Sequence, residues 1–129
     1  MAQFKIYGER EHLRRLRDRL SAVIHATAMD VLGLPSGKRF HRFIGLDSED
    51  FVYPPDRSGA YTIVEVSLFE GRSGDTKRAF LQTLMRRITD ELALAPADLE
   101  ITLFETPKSH WGIRGDVGDD LVLAYEVER

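Results

Sequence analysis

The chain has 129 residues, of which 43% are hydrophobic and 30% are charged, and its formal net charge is −3. That length suits one domain over residues 1–129, and the slightly acidic balance argues against a general nucleic-acid surface, which needs clustered basic charge. With no cysteine, disulfides, thiolate zinc sites and cysteine nucleophiles are excluded. We expect a cytoplasmic protein without membrane partners, because neither a signal peptide nor a run of roughly 18 apolar residues is present.

The first part of the chain has the pattern of a strand, a helix and a second strand. Alternation over residues 3–7 predicts a short strand. Apolar residues then recur at three- and four-residue steps as far as Leu32, and Gly33 ends this helix. A second strand is predicted over residues 40–46. The turn-rich stretch 47–59 predicts one long exposed loop.

The second part repeats this order. β-Branched residues over 61–69 predict a strand, and Ser73 suits the N-cap of the following helix. Apolar residues alternate again over 99–103, which predicts another strand. Residues 111–115 read as a glycine-flanked loop, and residues 121–127 as a final short strand. The inner face of the second helix is formed by Phe80, Leu84, Ile88 and Leu92.

An offset of about 60 residues relates the two parts. At this offset Leu20, Ile24, Ala28 and Leu32 fall on Phe80, Leu84, Ile88 and Leu92. We predict an α+β fold from a duplicated β-α-β unit, with halves at about 1–46 and 61–105 joined by the long loop. The sheet has four strands, with both helices on one face and short extra strands beside it. The other face is expected to stay apolar and to be covered by oligomerisation.

Three segments carry a resemblance to a known family. They are Glu49-Asp50-Phe51-Val52-Tyr53-Pro54, Gly71-Arg72-Ser73 with Lys77 shortly after, and Trp111-Gly112-Ile113-Arg114-Gly115. With the duplication, they resemble the tautomerase superfamily, and most closely the branch that contains malonate semialdehyde decarboxylase. The resemblance implies a homotrimer whose sheets face inward.

The sequence departs from that family where its chemistry resides. Family enzymes use an amino-terminal proline as general base or acid, whereas position two here is Ala2 and the first proline is Pro35. Lys38 stands near the place of a decarboxylase aspartate. Of the two decarboxylase arginines, the second resembles Arg72 and the first is replaced by Glu70. Decarboxylation by the family's route is therefore not expected.

Two groups are candidates for catalysis. Arg72 lies where a strand gives way to a helix, and unpaired amide groups beside a guanidinium bind carboxylates or phosphates. The alternative is a surface ion pair with Glu70. The second candidate is the amine of Ala2, free if Met1 is removed, which could shuttle protons or form a Schiff base. The alternative is a terminus without a catalytic role.

Four further residues are candidates for substrate binding: Lys38, Arg114, Trp111 and Tyr53. Lys38 could hold an anion, or it could be a solvated loop charge. Trp111 in its glycine-flanked loop is more typical of a packing anchor than of a substrate platform. The four histidines show no metal-ligand spacing, so we expect neither a metal nor another cofactor.

These observations lead to two hypotheses of different classes. The first is a weak keto–enol tautomerase for a small 2-oxo acid or enol carboxylate, with Arg72 holding the carboxylate and a terminal amine moving the proton. The second is a non-catalytic trimer that binds a small carboxylate metabolite or a protein partner. A third possibility places relocated chemistry at Lys38 or in the loop 47–59.

Overall fold

The computed structural model describes residues 1–123 and 125–128. Its main elements are β1 (Ala2–Glu9), α1 (Arg10–Leu32), β2 (His41–Leu46), β3 (Thr62–Phe69), α2 (Gly74–Leu92) and β4 (Leu99–Thr106). A small hairpin follows, formed by β5 (Gly112–Ile113) and β6 (Asp116–Val117). Single 3-10 turns lie at Ser48–Asp50, Pro96–Asp98, Lys108–His110 and Gly118–Asp120. Among the described residues, no helix combines the length and apolar character needed to cross a bilayer.

The main sheet has the strand order β2-β1-β3-β4, and the predicted α+β fold with a four-stranded sheet and two helices is confirmed. The central pair β1–β3 is antiparallel, and the two outer pairs are parallel. In the outer pairs Phe4 lies opposite His41, and Val64 lies opposite Ile101. The 60-residue offset seen in the sequence therefore also relates the registers of the two halves.

The core lies between one face of the sheet and the two helices. Alternate residues of β1 point into it, and Phe4 and Ile6 are buried, as their spacing predicts. All four predicted inner-face residues of α2 are buried. Gly33 ends α1 in the left-handed conformation with φ 70°, and the Ser73 side chain caps α2 by accepting from the Thr76 N–H at 3.1 Å.

The halves differ at the junction between strand and helix. In the first half α1 begins at Arg10, directly after β1. In the second half four residues separate β3 from α2, and Gly71 among them adopts φ 133°. A side chain at Gly71 would also press on Glu128, since a Cβ there would lie 3.0 Å from the Glu128 Cγ. This turn carries Arg72.

The face of the sheet away from the helices is mixed in character, so the expectation of an apolar face is wrong. Charged residues lie on it, and Lys5 pairs with Glu65 on β3 and with Arg42 on β2. Apolar or aromatic residues accompany them, including Tyr7 and Phe104, the latter 48% exposed. The physical reason is the strict alternation along each strand, which places polar residues between the core positions.

The predicted final strand over residues 121–127 is also wrong in its described part. Residues 121–123 and 125–127 have no strand conformation, and Ala124 lies outside the described residues. The segment packs by its side chains instead: Val127 is buried, and Tyr125 packs against the core cluster. Its apolar residues therefore cover the turn around Gly71 rather than extend a sheet.

Candidate active site

A cavity of about 160 Å³ opens at the end of the sheet where β1 begins. Its wall includes two cations, an aromatic hydroxyl and the first residue of the chain. The wall is formed by Met1, Lys38, Arg114, Leu121, Val122, Leu123 and Tyr125. Such a mixture of apolar surface with a few converging polar groups is typical of a small-molecule site.

Strand directions bring the parts of this site together. β3 runs antiparallel to β1, so β3 ends where β1 begins, and the Phe69 N–H donates to the Met1 carbonyl at 3.4 Å. β4 runs parallel to β3 and ends beside it, and the Glu70 N–H donates to the Thr106 carbonyl at 2.9 Å. The chain start, the β3–α2 turn and the segment after β4 therefore share one end of the sheet.

The Met1 α-amino group is the central feature of the cavity. It donates a hydrogen bond to the Tyr125 hydroxyl oxygen. Burial, together with the nearby charges of Arg72, Lys108 and Lys38, lowers the pKa of this amine from 8.0 to about 5. At neutral pH the amine is therefore mostly unprotonated, and its lone pair is available to take a proton or to attack a carbonyl carbon.

Arg72 lies behind the amine rather than in the described wall of the cavity. Its side chain is only 4% exposed, and Nη1 donates to the Phe69 carbonyl at 3.4 Å. Glu70 is exposed, so the two side chains of the expected surface pair lie in different environments. The charge of this buried guanidinium acts on the amine, and its expected role of holding a substrate carboxylate stays a prediction.

Lys38 and Arg114 are the predicted binding residues that do line the cavity. Lys38 is half-buried and follows a tight turn in which its N–H donates to the Pro35 carbonyl at 3.0 Å. Arg114 lies at the tip of the β5–β6 hairpin, where Arg114 and Gly115 adopt φ 50° and 86°. Two consecutive left-handed residues make the compact hairpin turn that brings this arginine to the cavity.

Lys108 is held near the amine by a close backbone approach. Its Nζ lies 6.0 Å from the centre of the Phe69 ring. A Cβ on Gly118 would lie 2.1 Å from the Lys108 carbonyl oxygen, so this position requires glycine. The Gly118 N–H also donates to the Trp111 carbonyl at 2.8 Å. The hairpin and the Lys108 turn are therefore clamped together.

Trp111 does not belong to the described wall of the cavity. Its indole N–H donates to the Thr106 hydroxyl at 2.7 Å, and its ring packs edge-on against Phe69 at 5.0 Å. The side chain anchors the loop after β4 to the sheet and supports the site from behind. Contact of this indole with a substrate stays a prediction, since the described contacts of the ring are packing contacts.

Tyr53 lies at the opposite end of β1 from the cavity and is not in its described wall, and its expected place in a substrate site stays a prediction. The Tyr53 hydroxyl donates to Glu9 at 3.0 Å, and the ring contacts Phe51 and Tyr61. Together these contacts fix the long loop. The loop is further held by Asp98, which accepts from the Ser58 N–H and hydroxyl at 2.8 and 2.6 Å.

Ala2 faces the core with its side chain 2% exposed. Its backbone nitrogen points in a different direction from that of Met1, because successive N–H groups along a strand face opposite edges. The Phe4 N–H donates to the Phe40 carbonyl at 2.9 Å, so the Ala2 nitrogen faces the same β2 side. An amine at Ala2 would therefore face the segment between α1 and β2, whereas the Met1 amine contacts Tyr125.

Residues 38–114, which are more than half of the chain, match the sequence model of a protein family with the description "Tautomerase enzyme". The chain belongs to the tautomerase family. A 2-hydroxymuconate tautomerase of Comamonas testosteroni is 28% identical over 51 residues, which cover 40% of this chain and 81% of that relative. A probable tautomerase of Halalkalibacterium halodurans is 32% identical over 53 residues, covering 41% of this chain and 87% of the relative. Such relatives are about half as long as this chain, in keeping with its duplicated halves.

Solved structures show the same tautomerase fold. Malonate semialdehyde decarboxylase superposes with a TM-score of 0.79 at 20% identity, covering 93% of this chain and 99% of that one. A fused 4-OT described as an asymmetric trimer gives a TM-score of 0.79 at 17% identity, covering 91% of this chain and 96% of that one. At these sequence identities the similarity shows a shared fold alone.

Two residues of the candidate site, Tyr125 and Lys108, were not predicted from the sequence. Tyr125 lies in a segment predicted as a strand, where an aromatic residue is usually a packing group. A signal for Lys108 was present, because parallel strands end at the same edge of a sheet and Lys108 directly follows β4 as Arg72 follows β3. Tyr125 had no such signal, since its approach to the amine depends on the path of an irregular segment.

A metal-compatible cluster of carboxylates lies away from this cavity. Asp47, Glu49 and Asp50 each bring a carboxylate oxygen within 4.8 Å of the others. All three side chains are exposed on the loop after β2, and exposed clusters of acidic residues are common in proteins that bind no ion there. The cavity around Met1 has cations and a hydroxyl in its described wall, a set that suits an anionic organic ligand rather than a metal.

Proposed function

We propose that the chain is a tautomerase that moves a proton between carbon and oxygen of a small 2-oxo acid or enol carboxylate. The observation that carries this proposal is an α-amino group with a pKa of about 5 that faces a cavity lined by Lys38 and Arg114. A base whose pKa lies below the working pH is largely in its active form. Cations beside it attract a carboxylate substrate.

The reaction follows from these groups. The neutral Met1 amine takes a proton from the carbon next to the substrate carbonyl, and the electron pair moves to the carbonyl oxygen. Lys38 and Arg114 hold the carboxylate and offset the negative charge that develops on oxygen. Arg72 acts from behind by disfavouring the protonated amine, so the proton is released readily to the product.

Departures from the family's pattern support a weak activity. The malonate semialdehyde decarboxylase branch has other residues at the positions of Ala2, Lys38 and Glu70. We assign the chain to that branch as a member that lacks the amino-terminal proline. Decarboxylation by the family's route is not part of the proposal. We also propose a homotrimeric assembly and a cytoplasmic location; the fused 4-OT trimer with the same fold supports the former.

A second candidate function has its own support. Arg72 is buried and, among the described residues, no carboxylic acid lines the cavity to serve as a general acid. This favours a trimer that binds a small carboxylate metabolite without turning it over. Ligands that raise the melting temperature without being converted would identify this function.

The test follows the conversion of phenylpyruvate from enol to keto form. The protein is released from two cleavable fusions so that it begins at Met1 or at Ala2, and intact mass confirms each start. We expect turnover from the Met1 form that falls at least about tenfold in Lys38→Ala or Arg114→Ala. Acetylation of the α-amine should abolish it. If both forms match the buffer rate, the tautomerase proposal is wrong.

A further inference from the structure

We propose that the Met1 α-amino group also captures small 2-oxo acids covalently, as a Schiff base with the carbonyl carbon. This inference rests on the same amine as the proposed function, but it assigns that amine a nucleophilic role in addition to a basic one. Three observations support it: the type of amine, its contact with Tyr125, and the charges around the cavity.

The α-amine of Met1 is primary, because it belongs to a methionine and not to a proline. A primary amine can lose both of its protons in forming a neutral imine, whereas a secondary amine can form only a charged iminium. A partly buried amine beside other cations is the arrangement in which amines become nucleophilic at neutral pH. Met1 has this arrangement, with Arg72, Lys108 and Lys38 close enough to disfavour its charged form.

Tyr125 supplies the proton that the reaction needs. Its hydroxyl is in hydrogen-bond contact with the Met1 amine, which places the hydroxyl beside any carbonyl oxygen whose carbon the amine attacks. Burial raises the pKa of the Tyr125 hydroxyl, and the charge of Arg72 partly offsets that effect. The hydroxyl is therefore protonated at neutral pH and can act as a donor.

The step balances without any external oxidant or reductant. The amine lone pair forms a bond to the carbonyl carbon, and the carbonyl π electrons move to oxygen, which takes the Tyr125 proton. The nitrogen then loses a proton, which returns to the tyrosinate and leaves a carbinolamine. Loss of that hydroxyl as water, with the second nitrogen proton leaving in the same stage, forms the C=N bond.

The charges and size of the cavity define the ligand class. Lys38 and Arg114 lie in the same wall as Met1, so a carboxylate held there places an adjacent carbonyl carbon beside the amine. A cavity of about 160 Å³ limits the chain that extends beyond the carbonyl. A short 2-oxo acid such as pyruvate meets both conditions, and a simple ketone without a carboxylate does not.

The experiment is reductive trapping. The full chain beginning at Met1 is incubated with pyruvate and cyanoborohydride, and the modified residue is identified by peptide mass spectrometry. We expect one adduct per chain at the Met1 amine, about tenfold less with acetone in place of pyruvate, and none after α-acetylation. Tyr125→Phe keeps the ring but removes the proton donor, so its rate of labelling should fall at least about tenfold.

The outcomes separate this inference from the proposed function. Adducts confined to Lys38 or Lys108, or no adduct at all, overturn covalent capture by the amine, even where phenylpyruvate is tautomerised. An adduct on Met1 without tautomerisation retains this inference and removes the tautomerase proposal. Circular dichroism of Tyr125→Phe, with thermal unfolding, shows whether slower labelling arises from a folding defect.

Discussion

Lys5 on β1 lies directly opposite Glu65 on β3 in the central antiparallel pair, and these two residues are also equivalent in the 60-residue repeat. Residue 65 is the repeat partner of residue 5, and the same two residues are opposite one another in the sheet. A local two-fold axis therefore passes between them and relates the two β-α-β halves. The axis carries one half's strand–helix junction onto the other, where residues 70–73, equivalent to the first residues of α1, form the turn of Arg72 instead of a helical turn.

The first prediction concerns this pair. Lys5→Glu places two carboxylates directly opposite each other, and like charges at such positions destabilise a sheet. We expect a loss of about 0.5–1 kcal/mol in the free energy of unfolding, measured by urea denaturation. The double variant Lys5→Glu/Glu65→Lys restores opposite charges and should recover most of that loss. A double variant whose loss of stability equals the sum of the losses in Lys5→Glu and Glu65→Lys would contradict a direct interaction.

Repetition made the fold predictable from the sequence. Helical spacing, Gly33 and Ser73 marked the helices, and four successive matches at one offset implied two equal units. The prediction failed for the final segment, which lies outside the repeat. The final segment around Tyr125 has an apolar pattern that suits a strand, but the described part packs through side chains without strand pairing.

The candidate site could be predicted only in part, for a similar reason. Lys38 and Arg114 follow turns whose positions are set by neighbouring strands, and they do line the cavity. Tyr53 and Trp111 were placed by resemblance, whereas their positions depend on hydrogen bonds to Glu9 and Thr106. Burial of Arg72 follows from chain segments packed over its turn, which no local pattern reveals.

The second prediction is the pH dependence of turnover. In the proposed reaction the Met1 amine acts in its unprotonated form, so kcat/KM should rise with pH through an apparent pKa of about 5 and then level off. Arg72→Met removes a charge that lowers this pKa, so the rise should move to higher pH. Arg72→Lys retains the charge and should move it less. A rise near the ordinary value of 8.0 in the wild type would contradict the buried amine.

The third prediction tests the packing of Val127 and Glu128 over the turn that carries Arg72. Gly71→Ala adds a Cβ 3.0 Å from the Glu128 Cγ, at a φ of 133° that side chains rarely adopt. We expect a loss of about 1–3 kcal/mol in stability. The displaced cover should also expose the amine and raise its pKa, which a pH titration of α-amine acetylation measures. Gly74→Ala, with nothing within 4 Å, is the matched control and should leave that pKa unchanged.

The fourth prediction concerns the clamp between the hairpin and the Lys108 turn. Gly118→Ala would place a Cβ 2.1 Å from the Lys108 carbonyl oxygen, so the backbone must separate there. Lys108 and Arg114 should then lose their positions together, and phenylpyruvate turnover should fall about tenfold or more. Gly112→Ala, which meets nothing within 4 Å, provides the control in the same hairpin. Equal turnover in both variants would show that the clamp does not position the site.

The last prediction concerns acid stability, and it depends on a histidine cluster between α1 and β2. The His41 Nδ1 lies 2.7 Å from the Ser21 hydroxyl, and its ring lies 6.2 Å from that of His25. Burial lowers the pKa of His41 from 6.5 to about 4, and the charge of Arg39 and the neighbouring His25 act in the same direction. The folded protein therefore keeps this ring neutral at pH values where the unfolded chain binds a proton.

The sign of the effect follows from that difference. Between pH 6.5 and about 4 the unfolded state binds more protons at this position, so stability falls as the pH is lowered through this range. His41 should account for about 2 kcal/mol of the loss, measured as the free energy of unfolding in urea at several pH values. His41→Phe keeps an aromatic ring beside Phe4 and cannot titrate, so its stability should depend less on pH across this range. The Met1 amine adds a separate loss between pH 8.0 and about 5, which α-acetylation removes while leaving the His41 contribution in place. A wild type and a His41→Phe variant with the same slope below pH 6 would show that this histidine does not govern acid stability.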